Sequence, residues 1–414
     1  MKPVIESHRR TVCIFLIGQS LSSAGNTFTQ VAVFWTALSL SGTAISLGAL
    51  GGAWTFAMAV SSLLSGVIVD RLSRRSLIIV LHLILGAVSL GVYALSAREI
   101  LHIWHLWVFL VAEGILGSPA GLASHSLIPD LVGKERLTRI NGLLGSWGSV
   151  DNLIEAAASG VVLGIWGPAP LFLFHASTYF IGAATAWSLP AWSAAAPKQP
   201  ERWNPLADLR LTIRFTLKER LLRRFIPLNL LSNLAFAPIF FMGPLVAAAV
   251  GAGSEGYGFF QSLMIGGLLA GSLLASSIGT RWPKVPMWIG GSVLYSLGFL
   301  ALGLRLSPML AYGVFFLLGL GWTGGRTYAG TLVQQTLPSA HRGRILGITG
   351  FAGGVFQPLA LAVAMTLVDR ASLGVVLVGL SLLMLAVSGL QLLLLPIRER
   401  DWVLSEPEGE PPSD

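Results

Sequence analysis

Twelve long apolar runs dominate the sequence and constrain its fold more than any other feature. Most are about 20 to 27 residues long, and a helix needs about 20 consecutive apolar residues to cross a bilayer. The first six occupy residues 12–38, 45–69, 76–97, 103–128, 139–165 and 168–190. After a polar gap, the other six occupy residues 225–250, 257–280, 285–304, 308–332, 343–368 and 372–396. The chain therefore has enough apolar length for twelve membrane spans.

The composition identifies lipid as the surroundings of these runs. The chain is 54% hydrophobic and only 11% charged, whereas a soluble domain is about 25% charged. In lipid, only helices and closed barrels satisfy their backbone hydrogen bonds, and barrel strands would be alternating segments of about ten residues. The sequence therefore predicts an all-α membrane protein with twelve transmembrane helices.

The two halves of the sequence repeat each other. Ser62–Arg71 lines up with Ser272–Arg281 at a constant offset, and both segments end the second span of their half. Two repeats in the same orientation are one design of secondary transporters. The predicted organisation is a six-helix bundle at 1–190, a cytoplasmic linker at 191–224, a second six-helix bundle at 225–400 and a disordered acidic tail at 401–414.

The basic residues predict the orientation in the membrane. Of the 27 lysines and arginines, Arg326 lies inside a span, and only Arg98, Arg305 and Arg370 fall in the loops on the side opposite the termini. Since lysine and arginine collect in cytoplasmic loops, both termini are expected in the cytoplasm and the protein in the inner (plasma) membrane. The net charge of +8 is thus an orientation signal, and no nucleic-acid partner is expected.

Ionisable side chains inside a span each cost about 2.5–3.5 kcal/mol on insertion scales, so each needs a reason. Four lie in predicted spans: Glu113, Asp151, Glu155 and Arg326. The three acids lie on or beside helix faces of small and polar residues. Burial disfavours the charged form of a carboxylate, so these acids can exchange protons near neutral pH. Two interpretations stay open: the acids bind and release protons, or they pair with Arg326 or asparagines and hold helices in register.

One loop carries a family resemblance. The stretch Gly66-Val-Ile-Val-Asp70-Arg71-Leu-Ser-Arg74-Arg75 resembles the loop signature of the major facilitator superfamily and falls, as in that family, between the second and third helices. Leu127–Val132, followed by Arg139-Ile-Asn141, resembles the bacterial branch of macrolide efflux proteins and enterobactin exporters. The resemblance implies a twelve-helix transporter that exports amphipathic molecules in exchange for protons.

The resemblance also implies roles for individual residues. The cytoplasmic gate would comprise Gly66, Asp70, Arg71, Arg74, Arg75 and Asp130. The first and seventh helices line the cavity in this fold, and the expected cavity residues are Asn26, Gln30, Asn152, Asn233, Arg326 and Gln357. The alternative for Asn26, Gln30 and Asn233 is interhelical hydrogen bonding. Pro238 and Pro244 could kink the seventh helix.

The fifth helix departs from the exporter pattern. Exporters of this superfamily usually carry a Gly-Pro-x-x-Gly-Gly type motif there, whereas the matching stretch is Glu155-Ala-Ala-Ala-Ser-Gly160. This difference leaves a second interpretation open, an importer of a small solute by symport or facilitated diffusion.

Other functional classes are less consistent with the sequence. A membrane scaffold would have no need of costly buried carboxylates, and there is no phosphate-binding loop for ATP and no nucleophile–base pattern of an enzyme. Cys13 is the single cysteine, so neither a disulfide nor a cysteine metal site is expected, and His82 and His175 are expected in the core or at helix interfaces. The expected partners are a small-molecule substrate, protons and the lipid bilayer, for a monomer without cofactor or metal.

Overall fold

The computed structural model describes residues 4–132, 134–189, 219–236, 238–278, 282–304, 307–336 and 339–396. The regular secondary structure of these ranges is helical. The predicted tail at 401–414 and residues 191–218 of the predicted linker lie outside the described residues.

Two sets of helices follow each other along the chain. The N-terminal half contains α1 (Val4–Ser41), α2 (Ala44–Arg71), α3 (Arg74–Ala97), α4 (Ile103–Val132), α5 (Lys134–Trp166) and α6 (Ala169–Trp187). The C-terminal half contains α7 (Arg220–Phe236), α8 (Pro238–Ala249), α9 (Gly253–Ile278), α10 (Lys284–Gly303), α11 (Pro308–Thr336), α12 (Ser339–Arg370) and α13 (Leu373–Leu394).

The seventh span contains α7 and α8, which are described on either side of residue 237. Leu221–Ala249 is long and apolar enough to cross a membrane as one stretch. Pro227 lies inside α7 and Pro244 lies inside α8. With α7 and α8 counted as one span, the prediction of twelve transmembrane helices is confirmed.

Eight described stretches satisfy length and apolar composition alone as membrane spans. Helices α1, α5 and α6 fall outside these eight and carry more polar residues. These three helices contribute polar side chains to a large interior cavity described below. The outer surface is apolar by contrast, with Leu393 81% exposed and Met309 80% exposed, as expected where side chains face lipid.

Three buried apolar clusters show how the halves meet. The largest joins residues of both halves, among them Phe34 with Phe241, whose rings are 5.0 Å apart edge to face. A second cluster, around Phe15, contains only residues of the N-terminal half. A third, around Trp288, contains only residues of the C-terminal half. The halves therefore share one core at one end of the molecule and have separate cores at the other.

We call the shared end, which holds the turns at 42–43 and 371–372, the closed end. The opposite end, which holds the turn at 72–73 and Pro283, is the open end. At the closed end α2 packs on α12 and α5 packs on α9 through glycines. A Cβ at Gly48 would lie 2.7 Å from Met365 Cγ, and one at Gly160 would lie 2.7 Å from Gly258 Cα. Small residues allow such close helix approach in membranes.

Candidate transport site

A cavity of about 630 Å³ lies inside the N-terminal half. Its wall draws on all six helices α1 to α6 and extends from Phe34, in the shared core, to Ile128 and Leu144 toward the open end. This volume falls within the range of about 300–1,000 Å³ of small-molecule sites. Five of the residues singled out in the sequence line the cavity: Asn26, Gln30, Glu113, Asp151 and Asn152.

Glu113 is the centre of a hydrogen-bonded group that connects α4 with α6. The Tyr179 hydroxyl donates to Glu113 Oε2 over 2.8 Å, and His175 Nε2 lies 3.1 Å from Glu113 Oε1. Asn26 Oδ1 of α1 is 3.5 Å from the same hydroxyl. These contacts of the Glu113 carboxylate come from two side chains of its own half. They do not include Arg326, which was the alternative partner expected from the sequence.

His175 and Tyr179 were not assigned a role at the site from the sequence. His175 is buried, as expected for a core residue, but its ring also bonds to Glu113. The two residues are four apart on α6 and therefore on one helix face. A buried histidine one turn from a tyrosine, in a helix otherwise rich in Phe and Ala, is a signal that could have identified them.

Two further acids lie on α5, one turn apart. Asp151 is half-buried in the cavity wall, and the neighbouring Asn152 Oδ1 accepts a 2.7 Å hydrogen bond from Thr27 Oγ1 of α1. Glu155 lies deeper toward the closed end and is only 5% exposed. Within the ranges that the structure describes, Glu155 Oε2 has no hydrogen-bond partner. The structure therefore places one α5 acid at the cavity and buries the other beyond it.

The remaining predicted cavity residues lie in the C-terminal half. Asn233 and Arg326 line a second cavity of about 40 Å³, together with Trp322. The Arg326 guanidinium lies 5.2 Å from the Trp322 ring centroid, in the range of a cation–π interaction. Gln357, on α12, is half-buried and lines neither of these two cavities. The predicted cavity residues are therefore divided among separate places.

The predicted gate residues lie at the open end. Asp70 and Arg71 are exposed at the last turn of α2. Arg74 Nη1 donates to Ser126 O over 3.0 Å, and Arg75 Nη2 donates to Trp187 O over 2.6 Å. These hydrogen bonds stay within the N-terminal half. A Cβ at Gly66 would meet nothing within 4 Å, and the side chain of Asp130 is outside the described residues.

Sequence comparisons place this geometry among known transporters. The family model of the Major Facilitator Superfamily matches residues 15–361. The enterobactin exporter EntS of Shigella boydii serotype 18 is 28% identical over 348 residues, covering 80% of this chain and 81% of that protein. The enterobactin exporter EntS of Citrobacter koseri is also 28% identical over 348 residues, covering 80% of each chain.

Solved structures share the fold at low sequence identity. The nucleoside transporter NupG aligns with a TM-score of 0.76 at 14% identity, over 93% of this chain and 98% of its own. A bacterial homologue of the iron transporter ferroportin in an inward-facing state aligns with a TM-score of 0.67 at 15% identity, over 92% and 98%. The family match, the twelve spans and the interior cavity agree: this multi-pass membrane transporter belongs to the Major Facilitator Superfamily.

Proposed function

We propose that this transporter exports amphipathic small molecules, drug-like or siderophore-like, in exchange for protons by alternating access. The observation that carries the proposal is the cavity of about 630 Å³ whose wall contains Glu113 and Asp151. It combines the volume for a small amphipathic molecule with carboxylates that can take up protons. The similarity to enterobactin exporters supports export rather than import.

At Glu113, binding of a proton competes with the hydrogen bonds that the carboxylate makes in this conformation. When charged, its carboxylate accepts the hydrogen bond from Tyr179 and faces His175. Protonation removes the charge that strengthens these bonds and frees the cavity wall to rearrange. Asp151 and Glu155 offer a second route: the carboxylates lie one turn apart on α5, and protonating either one relieves their mutual repulsion.

The orientation follows from the distribution of basic residues. We place both termini and the open end in the cytoplasm of a cell with a plasma membrane, because the turn at 72–73 lies at the open end beside Arg71 and Arg74. The structure then corresponds to an inward-facing conformation of a monomer. In the outward-facing conformation the Asp70, Arg71, Arg74, Arg75 and Asp130 gate closes the cytoplasmic side as the halves rock.

The substrate-binding wall includes both halves in this proposal. Asn26, Gln30 and Asn152 supply hydrogen-bond partners on the N-terminal side. Arg326 and Asn233 supply a cation and an amide on the C-terminal side. Gln357 of α12 would join the wall only when α12 moves relative to α2.

Substitutions of the two α5 acids test whether substrate transport is coupled to protons. In proteoliposomes with an imposed pH gradient, Asp151→Asn and Glu155→Gln are each expected to abolish pH-driven substrate movement while leaving expression unchanged. Substrates for this assay come from thermal-shift screening of the purified protein with enterobactin, macrolides and other amphipathic compounds. Transport at the parent rate in both variants would exclude a proton role for the α5 acids.

An importer of a small solute is the second candidate, because α5 has Glu155-Ala-Ala-Ala-Ser-Gly160 where exporters have a glycine–proline motif. A deletion strain separates the two functions. Export predicts greater susceptibility to the transported compound, or less release of it into the medium. Unchanged susceptibility and release together with reduced uptake of a nutrient would identify an importer.

A further inference from the structure

The closed end contains a carboxylate from one half bound to the end of a helix from the other. Asp369, in the last turn of α12, accepts two backbone hydrogen bonds from the first turn of α2. Its Oδ1 is 2.8 Å from the nitrogen of Ala44, and its Oδ2 is 2.8 Å from the nitrogen of Ile45. One side chain of the C-terminal half thus caps a helix of the N-terminal half.

Helix α2 lacks a cap of its own at this end. The side chain of its N-cap residue, Thr43, accepts no hydrogen bond from a backbone N–H of the helix, although threonine often fills that role. The Thr43 hydroxyl is instead 2.8 Å from the Ser46 hydroxyl. The first four N–H groups of a helix have no partner inside the helix and carry partial positive charge. A carboxylate is the strongest natural acceptor for them, so Asp369 satisfies donors that the local sequence leaves open.

This contact is arranged so that it can be released. Asp369 is exposed, and its bond to Ile45 faces solvent. Water can therefore solvate the carboxylate and the α2 N–H groups when the two halves separate, so no unpaired charge is left in an apolar core. Below it, Gly48 packs on Met365 and Gly52 on Pro358, so the cap lies at the rim of a close helix pair.

We propose that Asp369 is the positioning residue that keeps the closed end shut in this conformation. Its bonds to the first turn of α2 stabilise one facing state, and they must break before the closed end separates. This proposal rests on the alternating access of the proposed function, but it concerns conformational populations and requires neither export nor protons.

Distances between spin labels can measure both ends directly. Replacing the single cysteine, Cys13→Ser, gives a cysteine-free background. Labels at Leu40 and Met309 report on the closed end, and labels at Leu72 and Trp282 report on the open end, since all four side chains are exposed. Double electron–electron resonance on the purified full-length protein then gives the populations with each end closed or separated.

Asp369→Ala is expected to raise the ratio of separated to closed populations at the Leu40–Met309 pair by about tenfold, the effect of about 1.4 kcal/mol. Asp369→Asn keeps an acceptor oxygen but loses the charge and should give a smaller shift in the same direction. The matched control is Glu99→Gln, which removes one exposed acid in the loop between α3 and α4 at the same end, and it should leave the ratio unchanged. An equal shift in the control would overturn the proposal.

A second variant tests the same contact from the α2 side and leaves Asp369 in place. Thr43→Asp supplies α2 with its own carboxylate cap, which occupies the donors and repels Asp369, and should also increase separation at the closed end. Distance distributions unchanged from the parent in both Asp369→Ala and Thr43→Asp would overturn the role of Asp369. If these shifts are observed while the parent protein exports none of the candidate compounds, only the proposed function is overturned.

Discussion

The two halves have equivalent helix orders but offer different chemistry to the interior. The N-terminal half surrounds about 630 Å³ and places Glu113 and Asp151 in the wall, whereas the second cavity, in the C-terminal half, measures about 40 Å³ and contains Arg326. In the wall of the large cavity, Thr27 of α1 bonds to Asn152 of α5. In the wall of the small cavity, Asn233 bonds to Asn229 O of its own helix, although Gln391 of α13 bonds to Ser232 of α7 nearby. The repeat thus preserves the apolar packing that lipid demands while the interior polar residues diverge.

Among the substitutions that compare the two halves, the largest effect should come from the acid at the centre of the N-terminal cavity. Glu113→Gln cannot carry charge, so we expect pH-driven transport to fall about a hundredfold, equivalent to losing about 2.7 kcal/mol of charged hydrogen bonding. Arg326→Gln, which removes the charge from the C-terminal side, should reduce the rate by less than about tenfold. Initial rates in proteoliposomes with matched protein content measure both. A larger loss in Arg326→Gln would reverse the comparison of the halves.

A pair of Tyr→Phe substitutions sharpens the comparison. Tyr179→Phe removes the hydroxyl that donates to Glu113, and we expect about a tenfold lower transport rate, since a hydrogen bond to a charged group contributes about 1.5–3 kcal/mol. The matched control is Tyr328→Phe in α11, whose buried hydroxyl has no partner among the described residues. Transport rates at equal expression should separate the two variants, and similar rates would show that the Glu113 contact is dispensable.

A smaller effect is expected on stability. Thr27→Val removes the hydrogen bond that joins α1 to α5, and should lower the free energy of unfolding by about 1 kcal/mol. Thr29→Val is the control, because the buried Thr29 Oγ1 has no hydrogen-bond partner in the described ranges; this change should be neutral or slightly stabilising. Unfolding of the two variants in detergent gives the difference. Equal destabilisation would mean that the Thr27 bond adds nothing to helix packing.

The smallest effect is expected in the C-terminal cavity. Arg326→Lys keeps the charge but loses the planar group over Trp322. Since such cation–π contacts contribute about 0.5–1 kcal/mol when exposed, substrate Kd should rise by about threefold. Equilibrium binding to the purified protein tests this value, with Trp322→Phe as a variant that keeps a weaker aromatic partner. Unchanged Kd in both would exclude this side chain from substrate binding.

The sequence predicts the helices better than their ends. Helix α2 was expected at 45–69 and extends over Ala44–Arg71. Helix α1 begins at Val4, well before the expected residue 12, because its first turns are polar and carry no hydropathy signal. The seventh span was expected at 225–250, and Leu221–Ala249 is long and apolar enough to cross a membrane as one stretch.

The site was less predictable because it depends on which helices touch. The periodicity of α4 correctly groups Glu113 with small residues on one face, but no local pattern reveals that this face meets His175 and Tyr179 of α6. The same holds for Asp369. In the sequence it is an ordinary polar residue at the end of a span, and only the packing of α2 beside α12 reveals its hydrogen bonds. The functional roles of Glu113, Asp151 and Glu155 stay predictions.

Proton movement driven by substrate tests the central claim most directly. Purified protein in proteoliposomes with a pH-sensitive dye is given a gradient of a substrate found by thermal shift. Our account predicts that substrate leaving one side drives protons in the opposite direction, that Glu113→Gln abolishes this movement, and that Tyr328→Phe leaves it intact. Substrate crossing at the parent rate without proton movement, or with protons moving in the same direction, would contradict it.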